Sequence, residues 1–289
     1  MGKKDEIPTL RDAEEAYEAG DLETALAICD GLIGDDESKA EIRVLWLAGE
    51  CLLEMQEETE ALHLFEVALE QDPENPLLLH CRGLCLFELG RSAEAKALFE
   101  AARDAAPELA EPVFYLGLLA ERSGDDEGAQ ALFAAATELD PENFVMPHTW
   151  DGEAIRAAFD DLVEDTPDPL GVWLAALSIE VERRPSDGVL TRGGEPISPL
   201  VHCLFFGDPS EGAEGDDPEG WLAASPERVV LYADNLGKSA QDEYELAREV
   251  SEAVLWEIME FLGLDDTQLE ALGVIEADDD DEDIHPSRG

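Results

Sequence analysis

Residues 45–75 read LWLAGECLLEMQEETEALHLFEVALEQDPEN, and the pattern in them returns twice more at a spacing of 34 residues. Gly49, Gly83 and Gly117 form one column, Ala61, Ala95 and Ala129 a second, Phe65, Phe99 and Phe133 a third, and Pro73, Pro107 and Pro141 a fourth. Four columns in one register define a repeat, and a repeat of this length builds a stack of small units that bury their apolar faces against one another. Each unit reads as two helices, such as LLHCRGLCLFELG followed by SAEAKALFEAARDAAPE. Small residues at the Gly and Ala columns let the helices approach closely, and the Pro column ends the second helix. The Phe column is expected to fill the space between neighbouring units. A weaker first unit, residues 13–34, has Ala13 in the Gly column, Ala25 in the Ala column and Cys29 in place of Phe. Terminal repeats are atypical in such stacks.

The Gly, Ala, Phe and Pro columns over about residues 6–143 resemble the tetratricopeptide repeat (TPR) family. The resemblance implies an α-helical solenoid of about four repeats, with a concave groove lined by the first helix of each pair that holds peptide or protein segments. Carrying the family's groove positions over places Tyr17, Trp46, Phe87 and Phe114 on that face. With them come Glu14, Glu18, Glu50, Glu54, Glu88 and Glu121, and His80 beside them. Only Arg43 and Arg122 bring positive charge. A clamp for an acidic C-terminal carboxylate needs several cations. The expected partner is instead a polypeptide segment that is apolar and basic, anchored by aromatics and steered by the glutamates. The bland alternative is that these aromatics pack against neighbouring helices or a second domain.

The 289-residue chain carries 71 Asp plus Glu against 18 Lys plus Arg, a formal charge of −53. A nucleic-acid binder needs a basic face to neutralise phosphates, so that class is excluded. The acidity is general: residues 1–147 carry −25 and residues 148–289 carry −28. A surface rich in Asp and Glu and poor in Lys suits a salt-rich solvent that screens self-repulsion. No apolar run reaches the length of a membrane span, and the start MGKKDEIPTLRDAEEA lacks the apolar stretch of a secretory signal. Cys29, Cys51, Cys81, Cys85 and Cys203 make an odd number in no disulfide-like pattern. Together these point to a soluble cytoplasmic protein with reduced, buried thiols.

Beyond Pro147 and Trp150 the 34-residue period stops. A helix is expected over 152–165, an apolar stretch over 171–182, strands over 199–207 and 227–233, and a long helix over about 240–262. Val229, Val230, Leu231 and Tyr232 have strand character, and the loop 207–220 is rich in Gly, Pro and acids. That order of elements is α+β.

The segment ERVVLYADNL, the helix LAREVSEAVLWEIMEFLGL and the following LDDTQLEALG resemble the small zincin-like metallopeptidase family. The family's helix carries H-E-x-x-H and then x-x-G-x-x-D: two His one turn apart bind Zn²⁺, the Glu between them is the base, and the Gly turn brings the third ligand. On this chain the two His positions hold Trp256 and Glu260, while Glu257, Gly263 and Asp266 match the base, the turn and the third ligand. Indole offers a metal no lone pair, and Glu260 with Asp266 leaves a site without imidazole. The zinc site is therefore expected to be lost, with no cofactor and no catalysis, Glu257 surviving only as a vestige of the base. His63, His80, His148, His202 and His285 lie at no ligand spacing.

No nucleophile elbow and no phosphate loop occurs, and Arg192 to Gly194 read as a turn. Asp278 to Asp283 are six consecutive acids, expected to repel one another and stay solvated. The expected organisation is a TPR domain over 1–147, a degenerate zincin-like α+β domain over 148–275 and a disordered acidic tail over 276–289. The expected function is non-catalytic polypeptide recognition or scaffolding. Two alternatives are an active metallopeptidase with an atypical Glu260/Asp266 site, and a TPR adaptor whose second domain only caps the solenoid.

Overall fold

The computed structural model describes residues 8–191, 196–208, 218–222, 224 and 226–274. The acidic tail 276–289, the turn at Arg192 to Gly194 and most of the 207–220 loop lie outside the described residues. The chain divides into two compact units, residues 1–146 with Asp187–Pro199 and residues 147–186 with 200–289.

The first unit is a solenoid of four helix pairs: α1 (Leu10–Glu18) with α2 (Leu22–Ile33), α3 (Ile42–Glu54) with α4 (Glu58–Gln71), α5 (Pro76–Glu88) with α6 (Ser92–Ala105), and α7 (Ala110–Arg122) with α8 (Asp126–Leu139). The Gly and Phe columns explain each other. A Cβ on Gly49 would stand 2.5 Å from the ring of Phe65, one on Gly83 2.6 Å from Phe99, and one on Gly117 2.7 Å from Phe133. Each ring therefore abuts the backbone of its own unit's first helix, a site only glycine leaves open. The expectation that Phe fills the space between units is corrected to this extent: the ring seats within its unit, and Phe99 also reaches the next, 5.2 Å from the Tyr115 ring. In the first unit Ala13 and Cys29 are both fully buried, so a gained methyl is matched by a smaller partner.

The Pro column works through the residue before it. Asp72, Ala106 and Asp140 share φ near −140° (−138, −139 and −142) and ψ of 83, 82 and 86. Proline disfavours helical geometry in its predecessor, so each second helix stops at one place. Between the helices of a pair the chain turns through a left-handed residue, Gly90 and Gly124 in two units and Gln56 (φ 64) in another.

The second unit runs α9 (Gly152–Asp165), α10 (Leu170–Ala175) and β1 (Ile179–Glu182); α11 (Asp187–Leu190) follows in sequence but groups with the repeats. Then come β2 (Cys203–Phe206), α12 (Pro218–Trp221), β3 (Arg228–Tyr232), α13 (Ala233–Ser239), α14 (Glu243–Leu262) and α15 (Asp266–Ala271). The sheet order is β1-β3-β2, with β1 parallel to β3 and β2 antiparallel to it, Phe205 opposite Val229. On α14 the residues Leu246, Val250, Val254, Ile258 and Leu262 recur every fourth position and are buried. They form the unit's core with Ile155, Phe159, Leu174, Phe205, Val229 and Leu231. Among the described residues no helix is long and apolar enough to cross a membrane.

Candidate functional site

Successive first helices of the pairs meet along one face of the solenoid, and polar groups join them. Arg43 on α3 pairs with Glu14 on α1. The Tyr17 hydroxyl on α1 donates to Glu54 Oε1 on α3 at 3.0 Å. The Trp46 indole and the Glu50 carboxylate on α3 both bond the Cys81 thiol on α5. Glu50, Glu54, Tyr17, Trp46 and Cys81 thus form one patch across α1, α3 and α5. Burial raises the Glu50 carboxyl above its ordinary range; the Cys81 thiol opposes this and Glu54, one turn away, adds to it. Its Oε1 is buried and has no hydrogen-bond partner.

The remaining groove residues expected from the sequence divide into two groups. Glu88 lies close enough to Tyr115 to raise its phenol, after the larger effect of burial. Glu121 is partly exposed near the end of α7. The other three are packing residues. Phe87 is fully buried and meets Tyr115 edge-on at 5.4 Å, so it offers no surface to a partner. Phe114 is partly buried and packs against Phe133 at 5.2 Å and Phe144 at 5.1 Å. His80 is 9% exposed, lies between Phe99 and Tyr115, and has an Nδ1 without a partner. Burial lowers its pKa to about 4, so it is neutral near pH 7. Neither arginine expected in the groove is a lone cation, since Arg43 is paired with Glu14 and Arg122 with Asp187 on α11.

Cys81 and Tyr115 are the contacts that sequence reasoning missed. They sit one residue after His80 and Phe114 in the 34-residue register, so the signal was the neighbouring column.

In the second unit, α14 carries the positions of a zincin motif along β2, an edge strand. The amide of Phe205 faces away from β3 and donates to Glu257 Oε2 at 3.2 Å. The Glu257 carboxylate also helps to raise the Cys203 thiol, mainly raised by burial. Trp256 is partly buried and Glu260 is exposed; the side chain of Asp266 lies outside the described residues. Gly263, at φ 63, ends the helix, with the Leu264 amide donating to Met259 at 3.0 Å. This left-handed cap lets α15 start at once, with Asp265 capping Gln268.

The donors present do not fit a catalytic zinc. Trp256 has no ligating atom, and the unit's described histidines have other partners. His148 packs on Trp150 with tilted rings 4.2 Å apart, while His202 lies 3.2 Å from the Ser239 hydroxyl and 3.7 Å from Glu249. Among the described residues no cluster of three or more His, Cys, Asp or Glu could hold a metal.

Comparisons with known proteins follow the same division. Tetratricopeptide repeat families match residues 10–76, 64–97 and 82–144, and the zincin-like metallopeptidase family matches residues 174–274. Solved structures similar to the chain include YrrB, described as a TPR protein with an unusual peptide-binding site. It is 27% identical, with 53% of this chain and 73% of that chain covered and a TM-score of 0.39. MamA from Desulfovibrio magneticus RS-1 is 21% identical over 57% of this chain and 88% of that chain, with a TM-score of 0.41. The first TPR of Spaghetti, bound to an HSP90 peptide, is 23% identical over 36% of this chain and 82% of that chain, with a TM-score of 0.34. No curated protein matches the chain. The chain is thus a helical solenoid of tetratricopeptide repeats followed by a region that matches the zincin-like metallopeptidase family.

Proposed function

We propose that the protein binds a polypeptide segment on the concave face of its repeats and does not cut it. The zincin-like region, read as residues 148–275, is a pseudopeptidase without zinc, and residues 1–147 are the binding domain. One observation carries the loss of catalysis: Trp256 stands where the first imidazole ligand is required, on a helix whose Glu257 already accepts a backbone amide. A base committed to Phe205 and a ligand position without a lone pair leave nothing to bind or activate a metal-bound water. The acidic, aromatic character of the patch on α1, α3 and α5 favours a partner that is apolar and basic. Five buried free thiols suit a reducing compartment, hence the cytoplasm.

The test is metal analysis of the purified protein together with a peptide-cleavage assay with and without chelator. The expected result is neither stoichiometric zinc nor chelator-sensitive cleavage. Finding both would refute the proposal. A Trp256→His, Glu260→His variant is expected to gain zinc if the helix keeps the geometry of its family.

A further inference from the structure

Glu50 departs from every economical use of a carboxylate. It lies on a helix face toward two neighbouring helices, its Oε1 is buried without a partner, and Glu54 repeats the same charge one turn later. A buried, unsatisfied carboxylate oxygen is costly, and like charges four apart on a helix add to that cost. The two arginines expected in the groove are engaged by other acids, Arg43 by Glu14 and Arg122 by Asp187. The other groups around Glu50 are an aromatic pair and a thiol. The thiol of Cys81 bonds Glu50 and is itself bonded by Trp46; the phenol of Tyr17 is raised by burial, by its bond to Glu54, and by Glu50 itself.

We propose that Glu50, flanked by Tyr17 and Trp46, receives the cationic side chain, lysine or arginine, of an extended segment lying along the first helices. This rests on the reading that the groove binds a polypeptide. The incoming cation completes the bonding of Oε1 and separates the charges of Glu50 and Glu54. Its alkyl stem and charge lie against the aromatic faces of Tyr17 and Trp46, where cations are attracted to the ring quadrupole. The occupant is an apolar segment with one buried basic residue. An acidic tail is excluded, because its carboxylates would meet Glu14, Glu50 and Glu54.

The experiment selects random twelve-residue peptides displayed on phage against the full chain, and in parallel against Glu50→Gln, which keeps the shape and removes the charge. Peptides taken by the unmodified protein are expected to share apolar positions and one Lys or Arg, and those taken by Glu50→Gln to keep the apolar positions and lose the cation. A synthetic consensus peptide should bind Glu50→Gln about tenfold or more weakly, the range set by a hydrogen bond to a charged group. Changing its Lys to norleucine should weaken binding to the unmodified protein by the same factor and leave binding to Glu50→Gln unchanged. That arm needs no variant to fold. A cation retained in the Glu50→Gln selection, or a norleucine peptide that binds the unmodified protein as tightly, overturns the assignment of Glu50. No enrichment of any peptide, or binding indifferent to Trp46→Ala, overturns the groove reading beneath it.

Discussion

Replacing His80 by Phe should make the fold less sensitive to acid, by an amount the burial of that ring sets. His80 is wedged between Phe99 and Tyr115, its Nδ1 has no partner, and burial takes its pKa from an ordinary 6.5 to about 4. Between those two values the unfolded chain holds a proton that the folded chain refuses. Stability from this residue is therefore fully present above pH 6.5 and is lost as pH falls toward 4. The gap corresponds to about 3 kcal/mol in full and about 2 kcal/mol by pH 5, at about 1.4 kcal/mol per tenfold change in proton affinity. Phenylalanine keeps the ring and discards both the proton site and the orphaned nitrogen, whose burial costs about 1–3 kcal/mol. At pH 7 the variant should equal or exceed the unmodified protein. By pH 5 its advantage should have grown by about 2 kcal/mol. Urea unfolding of both proteins, followed by circular dichroism at pH 7, 6 and 5, measures this directly. The titration of the carboxylates is common to both proteins and cancels in the difference. An advantage that stays constant to within about 0.5 kcal/mol from pH 7 to 5 would refute the claim that His80 is held uncharged.

Two further outcomes follow from the repeat geometry. Gly83→Ala should cost about 1–3 kcal/mol of stability, because its Cβ would stand 2.6 Å from the Phe99 ring. Adding Phe99→Leu should give a double variant less destabilised than the two single changes together, and strict additivity in urea unfolding would count against the seating of the ring. Gln56→Gly should raise stability by about 0.5–1 kcal/mol, because Gln56 holds φ 64 where the equivalent turns use Gly90 and Gly124. A lower melting temperature for that variant would contradict it.

The repeats were legible because their physics is local and periodic. The Gly, Phe and Pro columns each act within a unit, so spacing alone exposes them, and the helix expected over 152–165 is α9 at the same bounds. What escaped was held by contacts distant in sequence. The seven residues of α13 show no period, and they are fixed by the buried Leu236 and by Asn235, whose amide donates to Val201 at 2.8 Å. The strand expected over 199–207 shortens to Cys203–Phe206, with Pro199 and Leu200 in a turn. Asp187–Pro199 read as a loop of the second half, yet it groups with the repeats, where Asp187 takes the charge of Arg122. In the groove the spacing brings together Tyr17, Trp46, Glu50 and Glu54 but does not separate them from the buried ring of Phe87. It cannot tell that Phe87 turns inward, since a fully buried aromatic and an exposed anchor occupy the same helical period.

Two glutamates carry the argument about function, and composition hides both, since each is one of 71 acids. Glu257 matches a catalytic base by its place in the motif, but its Oε2 is taken up by the Phe205 amide of an edge strand, which a structural acceptor does as well as a base would. Glu50 belongs to no catalytic motif, yet its Oε1 is buried and unmet. A carboxylate whose bonds are supplied by its own fold stabilises that fold; one whose bonds are withheld costs stability until something supplies them. By that criterion Glu50 on α3 is the acid we propose for a partner, while Glu257 on α14 bonds its own fold through the Phe205 amide.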